Sequence, residues 1–326
     1  MQPRKKIYDS MMELIGNTPM VRLNKIAAGT GSEILAKLEY MNPSGSLKDR
    51  IALEMIRGAA DRGELKPGAT IIESSTGNTG FALSSVGRML GYKVTIYETM
   101  PGKAGAEKSK MMKNVGAEVR LMEPEDIEHL KERSIAGAEV ELPGRQLCLE
   151  DETQHPGKIW WARQFSNEDN CKAHYVTAQE ILEQTDGKLD VFVQSIGTGG
   201  SLAGIAKVLK KEVPNVKIIG IQPASSKEPW TVGMDFPSTP IKGGIVSRML
   251  KEQGLIDELV MVTDTIAREM THRLWLEEGV YCGVSSGANV HFALEEVKKA
   301  KGRKRRAVAL MCDHMNRYLT EERYVT

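Results

Sequence analysis

Lys48 lies in the segment Asn42-Pro43-Ser44-Gly45-Ser46-Leu47-Lys48-Asp49-Arg50. Ser46 and Asp49 form an S-x-x-D capping pattern ahead of the apolar run Ile51, Ala52, Leu53, Met55 and Ile56. The pattern predicts a helix with a lysine in its first turn. Helix N-termini carry partial positive charge, so an ammonium there has the wrong sign for stability. The same field lowers an amine's pKa and favours its use as a nucleophile in Schiff-base chemistry. A lone first-turn lysine is ordinarily a solvated side chain, so the weight falls on its companions.

Three glycine-rich turns supply them. Ser74-Ser75-Thr76-Gly77-Asn78-Thr79-Gly80 follows a strand pattern and precedes a helix pattern. It offers hydroxyls, backbone N–H groups and a positive helix end, which suit a carboxylate or phosphate. A plain N-capped turn would need only one of those hydroxyls. Ile196-Gly197-Thr198-Gly199-Gly200-Ser201 has the same setting. It fails the dinucleotide fingerprint, because Leu202 holds the third glycine position of G-x-G-x-x-G, and it lacks the G-K-[ST] of a P-loop. What remains is a nest for one phosphate. Gly283-Val284-Ser285-Ser286-Gly287-Ala288 reads by itself as a capped helix start. Together these features suggest one cofactor carrying a single phosphate and an aldehyde.

The elements that must position them alternate. Strand patterns run over 34–38, 70–72, 93–97 and 118–121, then over 191–195, 217–221, 259–262 and 307–312. Helix patterns cover 78–90, 202–211, 265–278 and 288–299. Such alternation implies an α/β fold of parallel sheets covered by helices. A length of 326 residues suits about two domains, and the charged span 123–151 is the candidate crossing between them. Lys and Arg number 44 against 43 for Asp and Glu, so there is no electrostatic case for nucleic acid or an anionic membrane. The basic cluster 301–306 between a helix and a strand reads as a solvated turn. Cys148, Cys171, Cys282 and Cys312 form no C-x-x-C pair, which argues against a zinc site and a disulfide framework and suits a reducing cytoplasm. Cys312 reads as a small core residue at a strand end. With a polar start and no run of about 18 apolar residues, the chain is expected to be soluble and cytoplasmic.

The ordered set of motifs resembles the fold-type II pyridoxal-phosphate (PLP) enzymes, specifically the cysteine synthase (O-acetylserine sulfhydrylase) and cystathionine β-synthase group. The resemblance starts at Leu14-Ile15-Gly16-Asn17-Thr18-Pro19-Met20-Val21-Arg22-Leu23. It continues through Lys37-Leu38-Glu39, residues 43–50, Gly77-Asn78-Thr79-Gly80, Gln164-Phe165, His174-Tyr175 and residues 197–201, ending with Glu277-Glu278-Gly279 and residues 284–288. It implies a tryptophan synthase β-like fold of two domains, each a mostly parallel twisted sheet covered by helices. Residues 1–42 with 156–326 would form the larger, phosphate-binding domain, and 43–155 the smaller mobile one. It further implies a homodimer.

At matched positions the resemblance implies that Lys48 carries the cofactor as an internal aldimine and acts as acid and base at Cα. Asn78 would bond the cofactor's 3′ oxygen, and Gly197, Thr198, Gly199, Gly200 and Ser201 its phosphate. Ser75, Thr76, Thr79 and Gln164 would bind the substrate carboxylate, and Ser285 would face the pyridine nitrogen. A hydroxyl there, in place of a carboxylate, leaves that nitrogen largely unprotonated, so that loss of a β-leaving group becomes the natural fate after Cα deprotonation. The implied reaction is β-replacement on an activated serine (O-acetyl-, O-phospho- or free serine), through an α-aminoacrylate, with sulfide as nucleophile to give L-cysteine. Cystathionine β-synthase chemistry with homocysteine, cysteine desulfhydration and serine or threonine dehydration are the alternatives. A PLP-binding regulatory scaffold is the non-enzyme alternative, and intact Lys48, Asn78 and Ser285 argue against it. Three departures bear on the substrate rather than the cofactor: Glu73-Ser74-Ser75-Thr76-Gly77-Asn78, Lys242-Gly243-Gly244-Ile245 and Met311-Cys312-Asp313-His314-Met315.

Overall fold

The computed structural model describes residues 7–75, 77–98, 103–122, 142–224, 235–236, 239–240, 250, 254–300 and 302–319. The strands are β1 (Met20–Arg22), β2 (Glu33–Leu38), β3 (Thr70–Ser74), β4 (Lys93–Glu98), β5 (Glu118–Leu121), β6 (Ile159–Trp161), β7 (Val191–Ser195), β8 (Lys217–Pro223), β9 (Asp235–Phe236), β10 (Thr239–Pro240), β11 (Glu258–Val262) and β12 (Arg306–Met311). The helices are α1 (Lys48–Asp61), α2 (Asn78–Met89), α3 (Lys103–Asn114), α4 (Leu142–Gln154), α5 (Glu168–Thr185), α6 (Gly200–Glu212), α7 (Asp264–Arg273) and α8 (Val284–Lys298).

Two principal sheets result. The larger has the order β1-β2-β12-β7-β8-β11, and the smaller the order β5-β4-β3-β6. Every pairing in them is parallel except that of the short edge strand β1 with β2. Parallel strands buried on both faces read as continuous apolar runs, as Ala307-Val308-Ala309-Leu310-Met311 does. On one face of the larger sheet, Val191, Val193, Ile219 and Ala309 pack with Ala267, Met270, Val290 and Leu294 of α7 and α8. On the other, Phe192, Ile218, Val308 and Leu310 pack with Ala178 and Ile181 of α5 and Leu202 and Ile205 of α6.

The smaller sheet is covered by α1 and α2 through Ile51, Met55, Ile56, Leu83 and Val86 on Ile71 and Ile96. Burying each such side chain contributes about 1.5–3 kcal/mol. Behind it, Cys148 of α4 meets Ile72, Tyr97 and Trp161. The expected crossing at 123–151 is therefore corrected in its second half: from Leu142 the chain is a helix on this sheet, while 123–141 lies outside the described residues. Likewise β6 lies beyond the boundary expected at residue 155 and pairs with β3. In the basic turn, Arg303 pairs with Asp190, Arg305 with Glu296, and Arg306 with Glu33.

Candidate active site

Lys48 opens α1, and its backbone N–H donates to Ser46 Oγ at 3.2 Å. The reciprocal half of the expected capping box is different. The Asp49 carboxylate accepts from the Ser44 N–H at 2.7 Å and from the Ser44 hydroxyl, because the turn closed by Gly45 N–H on Asn42 O folds Ser44 over the helix start. Burial pushes the Asp49 carboxyl up to about 6.

Two residues further along, a buried ion cluster fixes the helix. Arg50 Nε and Nη2 donate to the two Glu39 oxygens at 2.7 and 2.8 Å, while its Nη1 and Nη2 reach the Glu180 oxygens at 2.8 Å each. Lys37 Nζ donates to Glu180 Oε2 at 2.6 Å and to Thr18 O at 2.7 Å. Lys37 and Glu39 are both 0% exposed, so two cations and two anions balance inside the protein. Burial alone would raise the Glu39 carboxyl; the Arg50 charge and hydrogen bonds outweigh it and hold it below the usual range. The cluster joins the 16–18 turn, β2, α1 and α5, and so sets where Lys48 stands. Nearby His174 is fully buried, and burial together with the Arg50 and Lys48 charges pushes its pKa well below the usual value.

Half-buried Lys48 shares the wall of one cavity of about 350 Å³ with Asn78, Gly197, Ser201 and Ser285. These residues follow the C-terminal ends of parallel strands or open the next helix, where open α/β sheets place their ligands. Asn78 comes from the smaller sheet's layer, and its Nδ2 donates at 2.7 Å to Asp313 Oδ2, just past β12 of the larger sheet. Tyr318 OH donates to the same oxygen at 2.7 Å. Burial raises the Asp313 carboxyl, and the two donors oppose that rise.

Ser285 sits in the first turn of α8, which begins at Val284, four residues earlier than the sequence pattern predicts. Its hydroxyl is hydrogen-bonded to the Cys312 thiol, which burial pushes up to about 11, so this corner carries neutral groups at neutral pH. Cys312 is buried, as expected, yet it lines the cavity and is more than filler.

The turn 197–201 fits a phosphate group. Gly199 N-caps α6 at φ +82°, a left-handed conformation that suits glycine. A Cβ on Gly200 would stand 2.1 Å from Asn170 Oδ1, whereas one on Gly197 would meet nothing within 4 Å. The loop is thus tight against Asn170 and open on the side where an anion would sit. Asn170 Nδ2 donates to Thr198 Oγ1 at 3.1 Å and to Gln164 O at 2.6 Å, tying this turn to the next group.

Of the expected carboxylate-binding residues, Ser75, Thr79 and Gln164 do not line the cavity. Ser75 is buried and its Oγ accepts the Gly80 N–H at 2.9 Å, capping α2. Thr79 is buried, and Gln164 Nε2 donates to Ser74 O at 2.9 Å. Thr76 and the segment 242–245 lie outside the described residues. Glu73, which the sequence reading passed over, organises this cradle. Its carboxylate accepts from the Ser74 N–H at 2.9 Å, Trp161 Nε1 at 3.0 Å and the Gln164 N–H at 2.8 Å. The available signal was an acid inside the apolar run Ile71-Ile72-Glu73, a residue type that is buried only when held. Asn170 and Asp313 gave no comparable signal, since their partners are distant in sequence.

The chain is similar to known proteins over nearly its whole length. The chain is 34% identical over 325 residues to a cysteine synthase of Staphylococcus aureus, covering 98% of each chain. It is 36% identical over 313 residues to cysteine synthase B of Salmonella typhimurium, covering 96% of this chain and 95% of that one. The crystal structure of cysteine synthase (OASS) from Entamoeba histolytica superposes with a TM-score of 0.84 at 33% identity, covering 100% of this chain and 93% of the other. The family model described as "Pyridoxal-phosphate dependent enzyme" matches residues 11–313, and the chain belongs to that family of PLP-dependent enzymes.

Proposed function

We propose that the protein replaces the β-substituent of an activated L-serine with sulfide to give L-cysteine. The observation that carries this reading is the shared cavity, which Lys48, Gly197 and Ser201 of the glycine-rich turn, and Ser285 line together. Both curated relatives described above carry the name cysteine synthase. When bound, PLP supplies an aldehyde that captures the substrate amine and a ring that withdraws electrons from Cα.

The chain's own residues do the rest. Lys48, the first residue of α1, would hold the cofactor and then take the proton from substrate Cα. The N–H groups of residues 197–201 and the hydroxyls of Thr198 and Ser201 grip the phosphate. Asn78 offers its second Nδ2–H to the ring oxygen, the first being committed to Asp313. The Ser285 hydroxyl would face the ring nitrogen and, unlike a carboxylate, would leave it largely unprotonated. Ser75, Thr76, Thr79 and Gln164 receive the substrate carboxylate when the smaller unit, residues 43–155 together with β6, closes over the larger one. Cytoplasmic location and a homodimer complete the reading; exposed Ile7, Met11 and Met41 offer apolar surface to a second copy. Among the described residues, no helix is long and apolar enough to cross a membrane.

The test is a substrate panel. O-acetylserine, O-phosphoserine, serine, cysteine and threonine are added in turn to the yellow protein, then repeated with sulfide or homocysteine. An activated serine should change the visible spectrum, and sulfide should reverse that change with release of cysteine. A response to threonine alone overturns cysteine synthesis, and a requirement for homocysteine moves the assignment to cystathionine formation.

A further inference from the structure

Gln194 and Gln222 are buried amides that the function above does not use. They are 1% and 0% exposed, on neighbouring parallel strands β7 and β8. Gln194 pairs in register with Gly220, so Gln222 stands two residues further along on the same face. That face is otherwise apolar, with Phe192, Ile196 and Ile218 in its core. A buried amide there is costly unless it has partners, and an apolar residue of the same shape would avoid the cost. Yet among the described residues Gln194 Oε1 and both amide atoms of Gln222 have no hydrogen-bond partner, and both side chains line the cavity beside the phosphate nest. The one bond made is specific: Gln194 Nε2 donates to Ser201 Oγ, and Ser201 is a nest residue.

We propose that Gln194 is a positioning residue that turns the Ser201 hydroxyl into a phosphate donor, with Gln222 forming the second half of an amide wall behind the nest. An amide NH₂ can only donate. With Gln194 Nε2 on its oxygen, Ser201 directs its own O–H away from the wall, toward an anion seated in the nest. A carboxylate behind Ser201 would do the reverse: it would draw the hydroxyl proton backward and place a like charge near the phosphate. This inference rests on the PLP assignment, and its test can fail separately from that assignment.

The experiment measures the Kd of the full chain for pyridoxal 5′-phosphate and for pyridoxal, which lacks the phosphate, by absorbance titration. Gln194→Met should raise the Kd for pyridoxal 5′-phosphate about tenfold or more, the scale of a hydrogen bond to a charged group, and shift that for pyridoxal less than about twofold. Gln194→Glu should be worse than Gln194→Met for the phosphate form only. In a Ser201→Ala background, Gln194→Met should add less than about twofold, because its effect passes through that hydroxyl. Equal losses for both cofactors, full additivity with Ser201→Ala, or an unchanged Kd overturns the proposal. Should Gln194→Met fail to fold, Gln194→Glu of nearly the same shape carries the same comparison. A wild-type chain that binds neither form refutes the cofactor assignment instead.

Discussion

Replacing Arg50 with Met tests the buried cluster that holds the Lys48 helix. The substitution removes four hydrogen bonds of 2.7–2.8 Å to Glu39 and Glu180 while keeping an apolar side chain of similar reach. Glu180 retains Lys37 at 2.6 Å, but Glu39, at 0% exposure, keeps only the Thr18 hydroxyl at 2.6 Å and Asn42 Nδ2 at 3.2 Å. Breaking a buried pair from one side typically costs about 3–5 kcal/mol. The cost should depend on pH. In the wild type the Glu39 and Glu180 carboxyls are held below their usual value, so their contribution is present above about pH 4.5 and lost as pH falls through the depressed pKa. Without Arg50, burial dominates Glu39 and raises its pKa, so the variant loses stability as pH rises through that raised value. The gap between the two proteins should therefore grow with pH, being smaller near pH 5 than near pH 8, where it reaches about 3–5 kcal/mol. Urea unfolding followed by far-UV circular dichroism reads it directly. A gap under about 1 kcal/mol at pH 8, or one that does not change with pH, refutes the reasoning. Adding Glu39→Gln to the variant should restore part of the loss at pH 8.

Lys48→Ala should abolish the borohydride-reducible link to the cofactor while the fold persists, as checked by mass spectrometry of the reduced protein. Ser285→Ala should slow turnover and leave the cofactor bound; unchanged kcat and KM would remove Ser285 from the site. Glu73→Gln turns one acceptor of three N–H groups into a donor, so KM for the amino-acid substrate should rise about tenfold or more with the visible spectrum unchanged. Gly200→Ala brings a Cβ to 2.1 Å from Asn170 Oδ1 and must displace the side chain holding both Thr198 and Gln164; cofactor affinity and substrate KM should worsen together.

Strands buried on both faces were legible in sequence. The run expected at 191–195 matches β7, which opens on Val-Phe-Val and is buried through Gln194, while the run expected at 118–121 matches β5, a largely exposed edge strand whose Glu-Val-Arg-Leu alternates. The three-residue strands β1 and β6 were invisible, since three residues show no period. Helix starts were less legible than helix existence: α8 absorbs Val284-Ser285-Ser286-Gly287, the stretch that reads as a capped turn before Ala288, because packing overrides the poor local propensity of Gly287. Within the site, residues carried by motifs (Lys48, Asn78, Gly197, Ser201 and Ser285) could be found in advance. Their holders could not. Asp313 lies 235 positions from Asn78 and Glu180 lies 130 from Arg50, and no local pattern encodes contacts at such separations.

The order β1-β2-β12-β7-β8-β11 places β12, the last of the described strands, in the interior of the larger sheet, pairing with β2 on one side and β7 on the other. On a ribosome, chains emerge N-terminal end first and at a limited pace. The smaller sheet is complete once residue 161 is out, and it can pack early. The larger one remains two unjoined pieces, β1-β2 and β7-β8-β11, until residues 306–311 are free to enter between them. Those residues also deliver Cys312 and Asp313 to the cavity, so a nascent chain completes its sheet and gains one wall of its active site in the same event. A stalled or truncated product lacking β12 would be both inactive and open-edged, a natural substrate for chaperones and proteases.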